Sequence, residues 1–301
     1  MTNKEWKEIQ KNQLNIFSGI LFHNQTFVQE NEMAQIRYDF SCPEFLELRE
    51  KYDLEKLAGR GSDFARSKRL LHYLAPRLHH CSWYDNHVPC NALALLEYSL
   101  DQKEHGINCL NKAKILAECC LAVGIYARRV RIMPYSPYDF DNHVVTEIYD
   151  KKLGKWMALD PTTDGYFVDE RKTPLSLPEL RDRFANDRFA TFVRSTDRLN
   201  ELTRLRDKYS YYNTYICKNL FYFSVEQENR FGSGEPYLHF CPESFSIIRN
   251  RIGNTEFRIN HMPEAHQTLL DYWKDQRKKL ETEEEPGKTC ISVMQRPPEQ
   301  E

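Results

Sequence analysis

Cys109, His143 and Asp160 have the side-chain types and the order along the chain that covalent acyl chemistry needs. Cys109 stands at the head of a helix-forming run, where unsatisfied backbone N–H groups and the helix dipole favour an anion and depress a thiol pKa. A thiolate there is a nucleophile, and the neighbouring N–H groups are donors for the oxyanion its attack would create. His143 and Asp160 flank two β-rich runs, His143–Tyr149 and Lys155–Leu159, joined by a short turn over Lys151–Gly154. With Asp150–Leu153 as a four-residue loop, antiparallel pairing makes paired positions sum to 303 and sets His143 directly opposite Asp160 on one face. A register shifted by two keeps them diagonal neighbours. A carboxylate beside an imidazole fixes its tautomer and stabilises the imidazolium formed when the ring takes a thiol proton. Singly, each of the three is an ordinary packing or strand-end residue. Their order, spacing, register and capping together point to acyl transfer.

The elements that must hold these residues can be read in turn. Asn108 is a good N-cap, and Leu110, Ala113, Ala117, Cys120 and Leu121 form one stripe of a helix over 108–123. Gly124 is placed for a left-handed stop, and the two alanines allow close approach of a sheet. Before it, helices are expected from Pro43 through Leu54, over 62–78 and over 91–100. After it, Tyr126–Ile132 reads as a strand and Pro134–Asp141 as a loop. Further on, a helix is expected over 176–186 with Pro178 in its first turn. A charged helix over 195–208, an aromatic strand region over 209–225 and a last helix over 264–279 follow. The fold class is α+β, with the nucleophile helix packed on an antiparallel sheet. The division expected is an N-terminal segment of unassigned role (1–40), a catalytic core (41–170), a C-terminal α+β extension docked on the core (171–280) and a flexible acidic tail (281–301).

Composition narrows the class. The 301 residues include 42 basic and 44 acidic side chains, a net charge of −2, which argues against nucleic acid or an anionic membrane as the main partner. No run approaches the roughly 18 to 20 apolar residues of a membrane span. The polar start lacks a secretory pattern, and the nine cysteines include no C-x-x-C pair. Free thiols in a reducing cytoplasm, with no structural zinc, are the expectation. The basic run Arg128, Arg129, Arg131 reads as a solvated face or a set of local ion pairs. The aromatic residues Tyr209, Tyr211, Tyr212, Tyr215, Phe221, Tyr222 and Phe223 read either as core or as the wall of a substrate site.

The runs G-I-N-C-L-N-K-A-K-I-L-A, G-I-Y-A-R-R-V-R-I, D-N-H-V-V-T-E-I-Y and K-W-M-A-L-D-P-T resemble, in order from Gly106 to Thr162, the motif blocks of the transglutaminase-like superfamily of papain-fold cysteine enzymes. The resemblance implies a papain/transglutaminase-like core with Cys109 as nucleophile, His143 as general base and acid, and Asp160 as orienting group. It also implies an upstream side chain in the oxyanion hole, for which His80 and Trp83 are the candidates. The zinc-binding cysteine pairs of the N-glycanase branch and the acidic calcium cluster of animal cross-linking enzymes are missing, so no cofactor or metal is implied. The expected activity is acyl transfer through a thioester, on an amide or thioester of a peptide, protein or small molecule. Water as acceptor would make it a peptidase or amidase; an amine would make it a transglutaminase or amide-forming enzyme. The other reading is a non-catalytic scaffold that keeps the fold. A thiol sensor pairing Cys109 with Cys119 or Cys120 is disfavoured, because ten or eleven helical residues place the sulfurs roughly 15 Å apart.

Overall fold

The computed structural model describes residues 2–139, 141–197 and 209–299. The chain opens with a helix, α1 (Asn3–Phe22), whose start is closed by Thr2 and Glu5 in a reciprocal capping box. A two-residue strand, β1 (Arg37–Tyr38), leads to α2 (Glu44–Lys51), α3 (Leu54–Ala58), α4 (Asp63–Leu74) and α5 (Ala92–Ser99). The hydroxyl of Ser62 caps α4 and the amide oxygen of Asn91 caps α5. Then come α6 (Cys109–Ala122), β2 (Ala127–Met133), β3 (His143–Asp150), β4 (Lys155–Asp160), β5 (Gly165–Val168), α7 (Leu177–Ala185) and β6 (Thr191–Arg194). The remainder holds α8 (Tyr211–Asn219), β7 (Tyr222–Glu226), β8 (Glu228–Asn229), β9 (Tyr237–Phe240), α9 (Ile247–His261), α10 (Gln267–Leu280) and α11 (Ile291–Gln295).

Among the described residues the strands build a seven-stranded antiparallel sheet in the order β6-β5-β4-β3-β2-β7-β9, plus a small parallel pair, β1 with β8. Apolar side chains alternate across the large sheet. Ile148, Met157, Leu159 and Tyr166 pack in one core cluster with residues of α2 to α6. Val130, Val145, Ala158 and Phe167 join α1, α7 and α8 in another. Helices therefore cover both faces, which is why β3, at the centre, is buried along its whole length.

Helix α6 packs on β2 and β3. Ala113 and Ala117 permit the close approach, and the Thr146 hydroxyl donates to the Ala113 carbonyl at 2.9 Å. From Asn111 onward α6 is buried all round, charges included. Two of them, Lys114 and Glu118, are matched: Lys114 donates to Glu226 (3.0 Å) and lies 3.3 Å from Glu118, while Arg129 pairs with Glu226. Glu118 also accepts from the N–H groups of Ala92 and Gly232. Matched in this way, the buried ions fix the helix against β2, β7 and the 230–233 turn.

Several expectations are corrected. The β3–β4 register sums to 305 rather than 303, as in Thr146 opposite Leu159. The loop is Lys151–Gly154, because Asp150 stays in the strand and its carbonyl and carboxylate accept from Gly154 and Leu153. The aromatic region begins as helix α8, capped by Ser210, and becomes strand only at Tyr222. Helix α9, which was not expected, precedes α10. Of the charged helix expected over 195–208, residues 198–208 lie outside the described residues, and Ser195 and Thr196 form a turn. Of the two readings of the basic run, ion pairing is the one found, with Arg128 and Arg129 buried in their pairs. Nor is the stretch from 281 a free tail: Glu285 caps α9, Val293 and Met294 are buried, and the Arg296 carbonyl accepts from the Trp156 indole at 2.8 Å.

Candidate active site

Cys109 is the first residue of α6 and is partly exposed. The side-chain oxygen of Asn108 accepts from Asn111 N–H at 3.3 Å, and Asn86 accepts from both asparagine side chains. The approach to the helix is pinned as well. Ile107 exchanges backbone hydrogen bonds with His79 and Cys81. Gly106 passes so near that a Cβ there would lie 2.9 Å from Cys81 Cβ. The thiol thus sits on a rigid helix start whose first N–H groups are oriented for an anion.

His143 and Asp160 meet as diagonal neighbours across the β3–β4 hairpin. Shifting the register by two preserves the face, and the two side chains close the distance, with His143 Nε2 2.7 Å from Asp160 Oδ2. Both are buried. Asp160 Oδ1 accepts from Thr162 N–H at 2.7 Å, and the Tyr212 hydroxyl donates to Oδ2. With Nε2 engaged, Nδ1 is the ring nitrogen that remains, and Cys109 lies near enough to favour the charged imidazole. Burial acts to neutralise His143, but the Asp160 charge and hydrogen bond, with Cys109 adding to them, outweigh it and hold the imidazolium up to about 10. The Tyr215 ring meets the imidazole edge-on at 5.5 Å, and burial followed by the nearby Cys109 pushes its phenol up, keeping it neutral.

The two expected oxyanion candidates part company. His80 pairs with Ile107 in an isolated bridge and its Nε2 lies 3.0 Å from the Ser82 hydroxyl. Its imidazole is held below the usual histidine range by burial and then by the charges of Lys112 and His143, which puts it in the electrostatic neighbourhood of the site. Trp83 stacks on His266 instead, with ring centroids 4.7 Å apart. Both residues line a cavity of about 620 Å³ with His79, Tyr84, Gly106 and His266, beside the approach to Cys109.

Two residues near this site, Lys112 and Arg258, were not singled out from the sequence, and Tyr212 and Tyr215 stood in the aromatic run, read as core or substrate wall, without an assigned position. Lys112, one turn after Cys109, and Arg258 of α9 both feel the Cys109 charge. The signal available for Lys112 was its place on the nucleophile helix; Arg258 had none. No group of three or more His, Cys, Asp or Glu side chains able to hold a metal occurs among the described residues, and no helix there is long and apolar enough to cross a membrane.

An α+β fold with an antiparallel sheet, a helix opening on a cysteine and a His–Asp pair on the adjoining hairpin have the arrangement of a papain-like domain. The family comparison agrees: the transglutaminase-like superfamily model matches residues 54–161, from α3 to just past β4, which takes in Cys109, His143 and Asp160. The match points to cysteine-based catalysis as a class. No curated protein and no solved structure matches the chain.

Proposed function

We propose that this protein is a cysteine-dependent acyl-transfer enzyme working through a thioester on Cys109. The observation that carries the reading is the buried 2.7 Å contact between His143 and Asp160 with Cys109 beside the imidazole. In that arrangement the Cys109 thiolate attacks the carbonyl carbon of an amide or thioester, and the resulting oxyanion is received by N–H groups at the start of α6. On collapse the carbonyl is restored and the carbon–nitrogen or carbon–sulfur bond breaks. His143 gives its proton to the leaving amine or thiol, and Cys109 holds the acyl group. Water or an amine then attacks the thioester, His143 takes the attacker's proton, and Cys109 leaves as thiolate. Asp160 keeps the imidazole oriented and supports its charge. The cavity of about 620 Å³ lies within the roughly 300–1,000 Å³ range of small-ligand sites. All nine cysteines are free, which supports a reducing compartment such as the cytoplasm.

The test is alkylation of all nine cysteines by iodoacetamide at about pH 6, followed by peptide mass spectrometry. An ordinary thiol of pKa ~8.5 is almost wholly protonated there, whereas an ion-paired thiolate reacts at once. Cys109 should be the fast residue and should slow in His143→Ala. A Cys109 that is accessible yet no faster than the others would replace this reading with a scaffold that keeps the fold. Once a substrate is found, Cys109→Ala and His143→Ala should each abolish turnover without unfolding the protein.

A further inference from the structure

Lys112 stands three residues after Cys109 on α6, a spacing that puts two side chains on one side of a helix, about 5–6 Å apart at Cβ. Its side chain is 2% exposed, and its ammonium donates to the Leu78 carbonyl at 2.5 Å. Leu78 leads directly into the His79–Cys81 segment that pairs with Ile107 beneath the nucleophile. The other buried lysine of this helix, Lys114, has Glu118 and Glu226 against it. Among the described residues no ion pair includes Lys112. The anions within its range are Asp160 and Cys109, and His80, when protonated, is a cation within it. Its charge therefore has its counterparts in the candidate site.

The charge count explains why a cation is needed there. A thiolate on Cys109, an imidazolium on His143 and a carboxylate on Asp160 sum to −1 in a largely buried space, where an unbalanced charge is costly. Arg258 of α9 also feels Cys109, but the carboxylates of Asp141 and Asp139 act on it more strongly and offset its charge. Adding the Lys112 ammonium brings the sum to zero. The balance also holds during the reaction, when the negative charge moves from the sulfur to the carbonyl oxygen. Resting on the acyl-transfer reading above, we propose that Lys112 is a positioning residue whose ammonium allows Cys109 and Asp160 to be anionic at the same time. In keeping with this, burial holds Lys112 down to about 8, against the opposing pull of Asp160 and then Cys109.

The test is the pH dependence of iodoacetamide alkylation at Cys109, measured on the full chain from pH 4 to 9. The proteins are the wild type, the neutral variants Lys112→Met and Lys112→Gln, and the charge-retaining Lys112→Arg. Near-ultraviolet circular dichroism checks packing, and the glutamine variant keeps a donor toward the Leu78 carbonyl should the methionine variant misfold. A unit charge one helical turn away at an effective dielectric of about 20 moves the thiolate midpoint by roughly one to two pH units. The neutral variants should therefore titrate that much higher, with alkylation about 10- to 100-fold slower at pH values below both midpoints. Lys112→Arg should stay close to the wild type. Neutral variants that titrate like the wild type overturn the role of Lys112 and leave the acyl-transfer reading standing. An arginine variant shifted as far as the neutral ones shows a structural rather than a charge role and also overturns it. A wild-type Cys109 without an acidic midpoint removes both readings together.

Discussion

Replacing Asp160 by asparagine keeps the shape of the site and removes one charge, so the change in His143 can be worked out beforehand. The imidazolium stands at about 10 against an ordinary 6.5, a rise that corresponds to roughly 5 kcal/mol favouring the charged ring. Coulomb's law gives a similar figure. Charge centres about 4 Å apart at an effective dielectric of about 20 attract by about 4 kcal/mol, or about three pH units. Without the carboxylate, burial is the largest influence left, and the His143 midpoint should fall to about 7 or lower. At pH 8 the charged fraction would drop from about 99% to about 10%. Stability should respond with a definite sign. Because the folded-state value is raised, the pair's contribution is fully present below about 6.5 and is lost as the pH climbs through 10. The wild type should therefore weaken across that alkaline window, and Asp160→Asn should lack this slope. The assay is an NMR titration of ring carbons in protein labelled at histidine, with His143 assigned through His143→Gln, run alongside denaturant melts at several pH values. A wild-type His143 titrating near 6.5, or an Asp160→Asn midpoint still above about 9, would refute the reasoning.

Two further outcomes follow from contacts around the site and behind the sheet. Tyr212→Phe removes the hydroxyl that donates to Asp160 and accepts from Thr163 at 3.1 Å. It should cost about 1–2 kcal/mol in a thermal melt while leaving His143 charged in the same NMR titration. Arg128→Met strips the buried Glu147 of its guanidinium partner, at 2.6 Å, and frees the Met294 carbonyl and the Trp156 ring. Denaturant unfolding should show a loss of about 3–5 kcal/mol, with faster amide hydrogen exchange over 290–296.

What could be read in advance was the local part of the structure. Asn108 as cap, the apolar stripe of α6 and the stop at Gly124 (φ 76°) depend on residues within a few positions of one another. The pairing of His143 with Asp160 was legible for a related reason: a register error of two leaves a side chain on the same face. The turn over Lys151–Gly154 was read correctly, but the register was missed by two because Asp150 was counted into the loop, whereas its carbonyl and one carboxylate oxygen close the hairpin and the other accepts from Phe64 N–H. Tyr211–Asn219 read as strand because aromatic residues favour sheets, but Tyr212 and Tyr215 are set by Asp160 and His143, which lie more than fifty residues earlier. Helix α9 escaped notice because its buried positions are sparse, Ile247, Asn250 and Thr255, and two of them are polar. The segment after 281 looked solvated because its buried residues, Thr289, Cys290, Val293 and Met294, are few among charged and proline residues.

The sheet order carries a consequence for how the molecule assembles. Strand β3 meets its neighbours β4 and β2 across connections of four and nine residues, and Cys109, His143 and Asp160 fall inside one stretch of about fifty residues. Strand β2 must instead find β7 across roughly ninety residues, and the tyrosines over the imidazole arrive just ahead of β7. Loop closure of that length is entropically slower to reach than a hairpin. Cys109, His143 and Asp160 can therefore gather early, while the aromatic roof above them waits for a late, distant strand to dock.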